Sequence, residues 1–430
     1  MEIARESYLK RLLEFRKNGQ IKVVTGIRRC GKSYLLRTLF KRRLLESGIK
    51  RSDILEIALD DPRDLRFRNP LELSAQVDRW LGKRPGGDRV LMIDEIQLSD
   101  AVPNPWNPDG KRVTFYDALN GFARRKGLDV YVTGSNSKML SSDILTEFRG
   151  RGDEIRLHPL SFAEYLAAAG GDRRDAFDAY ARHGGMPFLF TRPEEASRET
   201  YLRNLVAELD LKDIVERKKV ARPELMDQIL DLLCSATGSL TNPHKIAESL
   251  KSRFGAAASV NTVAAYIGHL EDAYLFSEAK RYDVKGRRYF EFPKKYYCED
   301  IGLRNARLGF RQQEITHAVE NVVWCELVRR GFQVDVGVVE SNERNAAGKS
   351  VRVQREIDFV VNKSGERVYV QSAWALPTDE KRRSELKPFL MTGDSFRKII
   401  VRGDVGHRWF DETGVLHVGL LDFLLDPAIV

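Results

Sequence analysis

Residues 26–33 read Gly-Ile-Arg-Arg-Cys-Gly-Lys-Ser, with two glycines, a lysine and a hydroxyl at the spacing that cradles a polyphosphate. Gly26 and Gly31 let backbone amides close around phosphate oxygens. Lys32 reaches the β and γ phosphates, and Ser33 offers an oxygen to magnesium. Ile27, Arg28, Arg29, Cys30 and Tyr34 complete the stretch that meets the nucleotide. An apolar run over residues 89–97 ends in a pair of carboxylates. Asp94 is suited to hold magnesium through water, and Glu95 to orient or deprotonate the attacking water. A third polar tip at residues 134–137 offers Asn136, with Ser135 next, as the group that senses the γ-phosphate. Together these residues predict binding of ATP with Mg2+, and hydrolysis.

That chemistry needs strands that deliver the loops. Residues 21–26 form a short apolar run with β-branched Val23 and Val24 before the first glycine, and leucines at helical spacing follow Lys32. Further strands are predicted over 53–61, 89–97, 129–137 and 153–161, alternating with helical stretches. This order predicts an α/β domain with a mostly parallel sheet and its ligands at the carboxyl edge. Residues 102–116 interrupt the core with prolines and glycine and read as a surface loop carrying Trp106 and Lys111.

The segments GIRRCGKSYLL, MIDEIQ, VTGSNSKMLSSDILTEFRGRGDEI, PLSFAEYL and GGMP occur in this order and span residues 1–187. They resemble a prokaryotic AAA+-type P-loop ATPase family that carries a C-terminal nuclease-like domain. The resemblance implies the AAA+ (ASCE) fold, ATP hydrolysis and, within FRGRG, an arginine finger. Arg149 and Arg151 both stand at the interval for that role, and the family's Gly-Arg pair falls on Gly150 and Arg151. A finger acts on a neighbouring subunit's nucleotide. The resemblance therefore implies a homo-oligomer with shared ATP sites, a hexamer among the candidates.

Four domains are expected: the ATPase core at 1–163, a helical lid at 164–222, a winged helix at 223–297, and a nuclease-like α/β domain at 298–430. The lid's role comes from the resemblance. In the third segment Asn242 with Pro243, and then Ser259, mark helix starts, and Val263, Ile267, Leu270 and Tyr274 share one face. A hairpin follows, and residues 280–295 hold seven basic and two acidic side chains. Lys280, Arg281, Lys285, Arg287 and Arg288 are its candidate phosphate contacts, which give nucleic-acid affinity without sequence choice.

In the last segment a helix with Glu320 precedes strands at 333–340, 353–362 and 367–374, a helix near 380–390 and a strand at 396–403. This order resembles the PD-(D/E)XK nuclease fold. The resemblance puts Asp358 and Gln371 with Glu320 around a metal. Ala373 stands where that pattern has its lysine, so a degenerate site without nuclease activity is expected, unless a lysine such as Lys363 has taken over the role.

The 430 residues carry 71 basic and 62 acidic side chains, a formal net charge of +9, which permits a polyanionic partner without requiring one. Cys30, Cys234, Cys298 and Cys325 are far apart, with no zinc-type spacing, which reads as reduced thiols in a cytoplasmic protein. No apolar run approaches a membrane span. The leading expectation is an oligomeric ATPase that couples hydrolysis to movement on, or remodelling of, DNA. The alternatives are a nucleotide-dependent regulatory or defence switch acting on protein partners, and an ATP-dependent nuclease.

Overall fold

A computed structural model describes residues 2–83, 86–107, 109–134, 152–207, 214–311, 314–344 and 349–430. These fall into two compact units. One comprises Glu2–His158 with Asp272–Tyr274, and the other Pro159–Glu271 with Leu275–Val430.

In the first unit, strands β1 (Ile21–Thr25), β2 (Ile54–Ala58), β3 (Arg89–Asp94), β4 (Leu128–Thr133) and β5 (Gly152–Arg156) make one sheet in the order β2-β3-β4-β1-β5. Every pairing in it is parallel. A parallel strand inside a sheet is covered on both faces, which is why β1, β3 and β4 are buried along their whole length, whereas β5 at the end of the order buries only Ile155. Leu73 and Val77 of the helix Pro70–Gly82, and Leu119 and Phe122 of Phe115–Ala123, pack with Ile21, Val23, Leu91 and Ile93. Phe40, in the helical run that begins at Lys32, meets the Tyr131 ring at 4.7 Å between centroids. The order inserts β4 between β1, which feeds the glycine loop, and β3, which delivers the two carboxylates. Residues 102–107 and 109–114 run outside the sheet, joined by an antiparallel bridge between Val102 and Val113, with Trp106 exposed. The expected surface loop stops short of residue 116: Phe115 is buried in the core and, with Tyr116, begins the helix Phe115–Ala123.

The second unit begins with helices Phe162–Ala169, Arg173–His183 and Glu195–Ala207. Three more, Pro223–Ser235, Pro243–Phe254 and Val260–Asp272, fall where the sequence places them. The Asn242 side chain accepts the Lys245 N–H at 2.7 Å, and Ser259 Oγ accepts the Thr262 N–H at 3.0 Å, so both helix starts are capped as read.

The hairpin differs from a free wing. Strands β6 (Phe276–Asp283) and β7 (Arg288–Cys298) belong to an eight-stranded sheet with β8 (Gln333–Arg344), β9 (Ser350–Lys363), β10 (Glu366–Ala373), β11 (Arg397–Arg402), β12 (Trp409–Phe410) and β13 (Leu416–Gly419). Its order is β12-β13-β11-β10-β9-β8-β6-β7, and β6 pairs in parallel with β8 through Arg281–Val336, Tyr282–Gly337 and Asp283–Val338. The helix Ile315–Arg329 covers one face, burying Val319, Val322, Val323 and Leu327. Leu386 and Phe389 of Asp379–Leu390 cover the other. Within this interior the carboxylate of Asp300 caps the helix Ile301–Arg307 and accepts the Gly185 N–H at 2.6 Å.

Candidate functional site

Gly26 has φ near 131°, and a Cβ there would stand 2.1 Å from the Leu157 carbonyl oxygen, so the approach of β5's outgoing backbone demands glycine. Gly31 takes the left-handed region at φ 101°, and the helical run starts on the next residue. The loop thus turns twice where side chains cannot follow. Ile27 and Cys30 are buried beneath it, and Cys30 Sγ lies 3.4 Å from the Leu157 carbonyl oxygen. Arg28 and Ser33 are half-buried, and Arg29 and Tyr34 are exposed. Lys32 is 5% exposed, and its ammonium donates to the carbonyls of Gly26 at 2.8 Å and Ile27 at 2.9 Å. The cation is therefore held inside the loop that is to receive phosphate, and the residues present fit a nucleoside triphosphate with magnesium.

Asp94 and Glu95 leave the tip of β3 in different conformations. Asp94 ends the strand and is buried; Glu95 turns left-handed at φ 57° and is half-exposed. Thr133, at the tip of the intervening β4, joins them. Its hydroxyl donates to Asp94 Oδ1 and accepts the Glu95 N–H at 3.0 Å. Burial raises the Glu95 carboxyl above the usual range, with the Asp94 charge adding to this and Lys32 opposing it, a setting that suits a proton acceptor. Gln97 Nε2 donates to Glu95 Oε2. Arg37 Nη1 lies 4.0 Å from Asp94 Oδ2.

The structure brings the cradle residues and both carboxylates named from the sequence to neighbouring strand ends, and adds Thr133, which the sequence reading did not single out. A hydroxyl at a strand tip was its only signal, and the strand order gives that signal meaning. Asn136, Ser135, Arg149 and Arg151 lie outside the described residues. At the root of the loop, Glu154 Oε1 accepts the Thr25 hydroxyl at 2.6 Å and the Tyr274 hydroxyl at 3.2 Å, and the Arg156 guanidinium lies over the Tyr274 ring.

The basic hairpin is more neutralised than its composition suggests. Arg281 is 8% exposed and donates to Gln354 at 2.9 Å, so it turns inward rather than toward a phosphate. Lys280 lies 3.7 Å from Glu278, Arg288 lies 3.3 Å from Asp283, and Lys285 donates to the Glu340 carbonyl at 3.4 Å. Arg287 is exposed on the turn. Four of the five candidate contacts therefore remain at the surface.

In the same unit Glu320, Asp358 and Gln371 are drawn together. Gln371 Oε1 accepts the Asp358 N–H at 3.1 Å, and its amide donates to Glu385 at 2.8 Å. The Ser372 N–H donates to Asp358 Oδ2 at 2.8 Å. Tyr297 donates to Glu320 at 2.7 Å. Lys363 does not approach this group: it donates to the Arg330 carbonyl at 2.6 Å and lies over the Phe332 ring. Lys295 does. Lys295 is 4% exposed, and its ammonium stands 2.8 Å from Glu320 Oε1 and 2.6 Å from Glu356 Oε1. Burial alone would weaken its hold on the proton, and the charges of Glu320, Asp358 and Glu356 more than reverse that. Asp358 is pushed well above the carboxylate range by burial and by Glu320, against the pull of Lys295 and the Ser372 amide.

Residues 18–166 match a family profile described as an AAA domain, and residues 174–314 match one described as a domain of unknown function. A protein of Haemophilus influenzae described as uncharacterized is 30% identical over 433 residues, covering 98% of this chain and 98% of its own. One from Methanocaldococcus jannaschii, described likewise, is 24% identical, covering 86% and 78%. Among solved structures, the Walker-type ATPase PABY2304 of Pyrococcus abyssi aligns with 71% of this chain and 96% of its own, at 14% identity and a TM-score of 0.48. The Aeropyrum pernix Orc1 protein in complex with DNA aligns with 72% and 93%, at 15% identity and a TM-score of 0.28.

Proposed function

We propose, on the premise that this chain belongs to the same protein family as its Haemophilus influenzae relative, that it is an AAA-type ATPase that couples hydrolysis to binding and moving or remodelling DNA. The observation that carries the ATPase reading is the convergence of Lys32, Asp94, Glu95 and Thr133 at adjacent strand tips. Lys32 exchanges its two loop carbonyls for phosphate oxygens. Ser33 and Asp94 would hold magnesium, which would supply neutralisation of charge on the phosphates. Thr133 keeps Glu95 set relative to Asp94 while Glu95 takes a proton from the attacking water. Asn136 senses the γ-phosphate, and Arg151 reaches the nucleotide of a neighbouring copy, so the enzyme works as a homo-oligomer. The reading of DNA as partner rests on Lys280, Lys285, Arg287 and Arg288 at the surface of one hairpin.

The test is the ATPase rate with single-stranded, duplex and branched DNA and without any, alongside mass with and without nucleotide. Stimulation by DNA that fades as salt rises is expected. A rate indifferent to DNA would favour the alternative, a nucleotide-dependent switch acting on a protein.

A second reading, an ATP-dependent nuclease, gains from Lys295. It brings an ammonium to Glu320 and Glu356 from β7, where Ala373 on β10 lacks one. Magnesium- or manganese-dependent cleavage by the wild type, lost in Asp358→Ala, would establish it.

A further inference from the structure

We propose that His183, Glu195 and Glu199 form a site for a zinc-type transition-metal dication in the second unit. His183 ends the helix Arg173–His183, and the two glutamates lie one turn apart on Glu195–Ala207. One ligand atom from each, an imidazole nitrogen and two carboxylate oxygens, can be chosen so that all lie within 4.8 Å of one another.

The imidazole points to a ligand independently of that spacing. His183 is 4% exposed, and neither ring nitrogen has a hydrogen-bond partner. A buried polar group left unpaired is destabilising, and a ligand at this ring would remove that cost. Nε2 stands 3.9 Å from Glu195 Oε1, too far for a hydrogen bond but facing the carboxylates.

A cation already occupies part of this space. The Arg182 guanidinium lies 2.8 Å from Glu195 Oε1 and 2.8 Å from Glu199 Oε1, while Arg203 takes Glu199 Oε2 at 2.9 Å. Arg182 pairs with the two carboxylates, and no hydrogen bond from it reaches either imidazole nitrogen. A dication satisfies all three groups at once. It also cancels the two carboxylate charges, and Arg203 can stay where it is. The Arg182 side chain is 36% exposed, so it has a route to solvent. An imidazole nitrogen beside two carboxylates favours zinc and its neighbours over magnesium or calcium, which prefer oxygen throughout. Three protein ligands leave one position for water. Bound there, the ion ties the end of one helix to the flank of the next.

The experiment is titration of the chelator-stripped full-length chain with Zn2+ and, separately, Mg2+, followed by calorimetry and thermal unfolding. Zn2+ is expected to bind and raise the unfolding temperature, and Mg2+ to do neither at this site. Glu199→Gln and His183→Phe should each weaken Zn2+ binding by about tenfold or more. Arg182→Ala keeps all three ligands and removes the competing cation, so it should bind Zn2+ more tightly than the wild type. Absence of a Zn2+ response in both the wild type and Arg182→Ala overturns the proposal. So does a response that survives His183→Phe, which would mark binding elsewhere, for instance at cysteines.

Discussion

Two polar sites in this chain are built by opposite means. The phosphate loop of the first unit is made by backbone at the rim of a parallel sheet: glycines bend it, and a few side chains at three strand tips finish it. The Glu320–Asp358 cluster of the second unit is made by side chains within a sheet-and-helix interior, from β7, β9, β10 and two helices. Rim geometry is set mainly by backbone turns. Interior geometry is collective, and each charge depends on its partner for the right to be buried. The first kind of site should therefore break by losing chemistry, and the second by losing fold.

The largest expected effect tests the first half of that contrast. Lys32→Ala should abolish ATP binding, and Glu95→Gln should bind MgATP while turning over roughly 10²–10⁴-fold more slowly, with unfolding curves unchanged. A large fall in stability for Glu95→Gln would blur the distinction. On the other side, Lys295→Met should lower the unfolding free energy by about 3–5 kcal/mol, since Glu320 and Glu356 lose their buried counter-ion. Urea unfolding followed by tryptophan fluorescence measures this; a loss below about 1 kcal/mol would place Lys295 among weak surface pairs.

Asp300 sharpens the interior half through pH. Burial raises its carboxyl from 3.8 to about 6, against the pull of the Gly185, Leu303 and Gly302 amides. The folded chain thus holds a proton that the unfolded chain releases near pH 4. Stability from this group is present below that point and lost as pH rises through 6. Asp300→Asn removes the dependence, so its stability relative to the wild type should improve by about 2 kcal/mol between pH 4 and pH 7. A pH-independent difference would mean that the amides hold the charged form without penalty.

The smallest effect expected is that of Thr133→Val, about tenfold in kcat at unchanged KM and nucleotide affinity. Tenfold is about 1.4 kcal/mol, the upper range for one hydrogen-bonding side chain that touches no substrate. A change in KM instead would give Thr133 a direct part in binding.

The same contrast decides what could be read in advance. Strands β1 to β4 of the first unit follow from apolar runs ending in glycine or carboxylate, which are local signals, whereas β5, Gly-Asp-Glu-Ile-Arg, carries almost none. Thr133 escaped because its role depends on β4 lying between β1 and β3, a fact of strand order. In the second unit the helix starts at Asn242 and Ser259 and the inward face of Ile315–Arg329 were legible for the same local reason. Lys295 read as one more charge in a basic run, because its contact with Glu320 is created by β7 meeting a helix 25 residues away. The parallel pairing of β6 with β8, which takes Arg281 out of solvent, joins residues more than 50 positions apart and has no signature in either strand. The last strands, β12 and β13, and the helix Leu420–Leu425 went unread; Trp409–Phe410 and Leu416–Gly419 are too short to show a period.

The three residues Asp272–Tyr274 bear on how this protein can be dissected. They lie far along the chain, yet they belong with Glu2–His158, where Tyr274 shares Glu154 with Thr25 at the foot of the phosphate loop. A gene fragment ending at residue 158 would omit that ring and leave Arg156 without its aromatic neighbour. An isolated ATPase core made by simple truncation is thus an incomplete part, and its silence in an assay would say little about the intact enzyme.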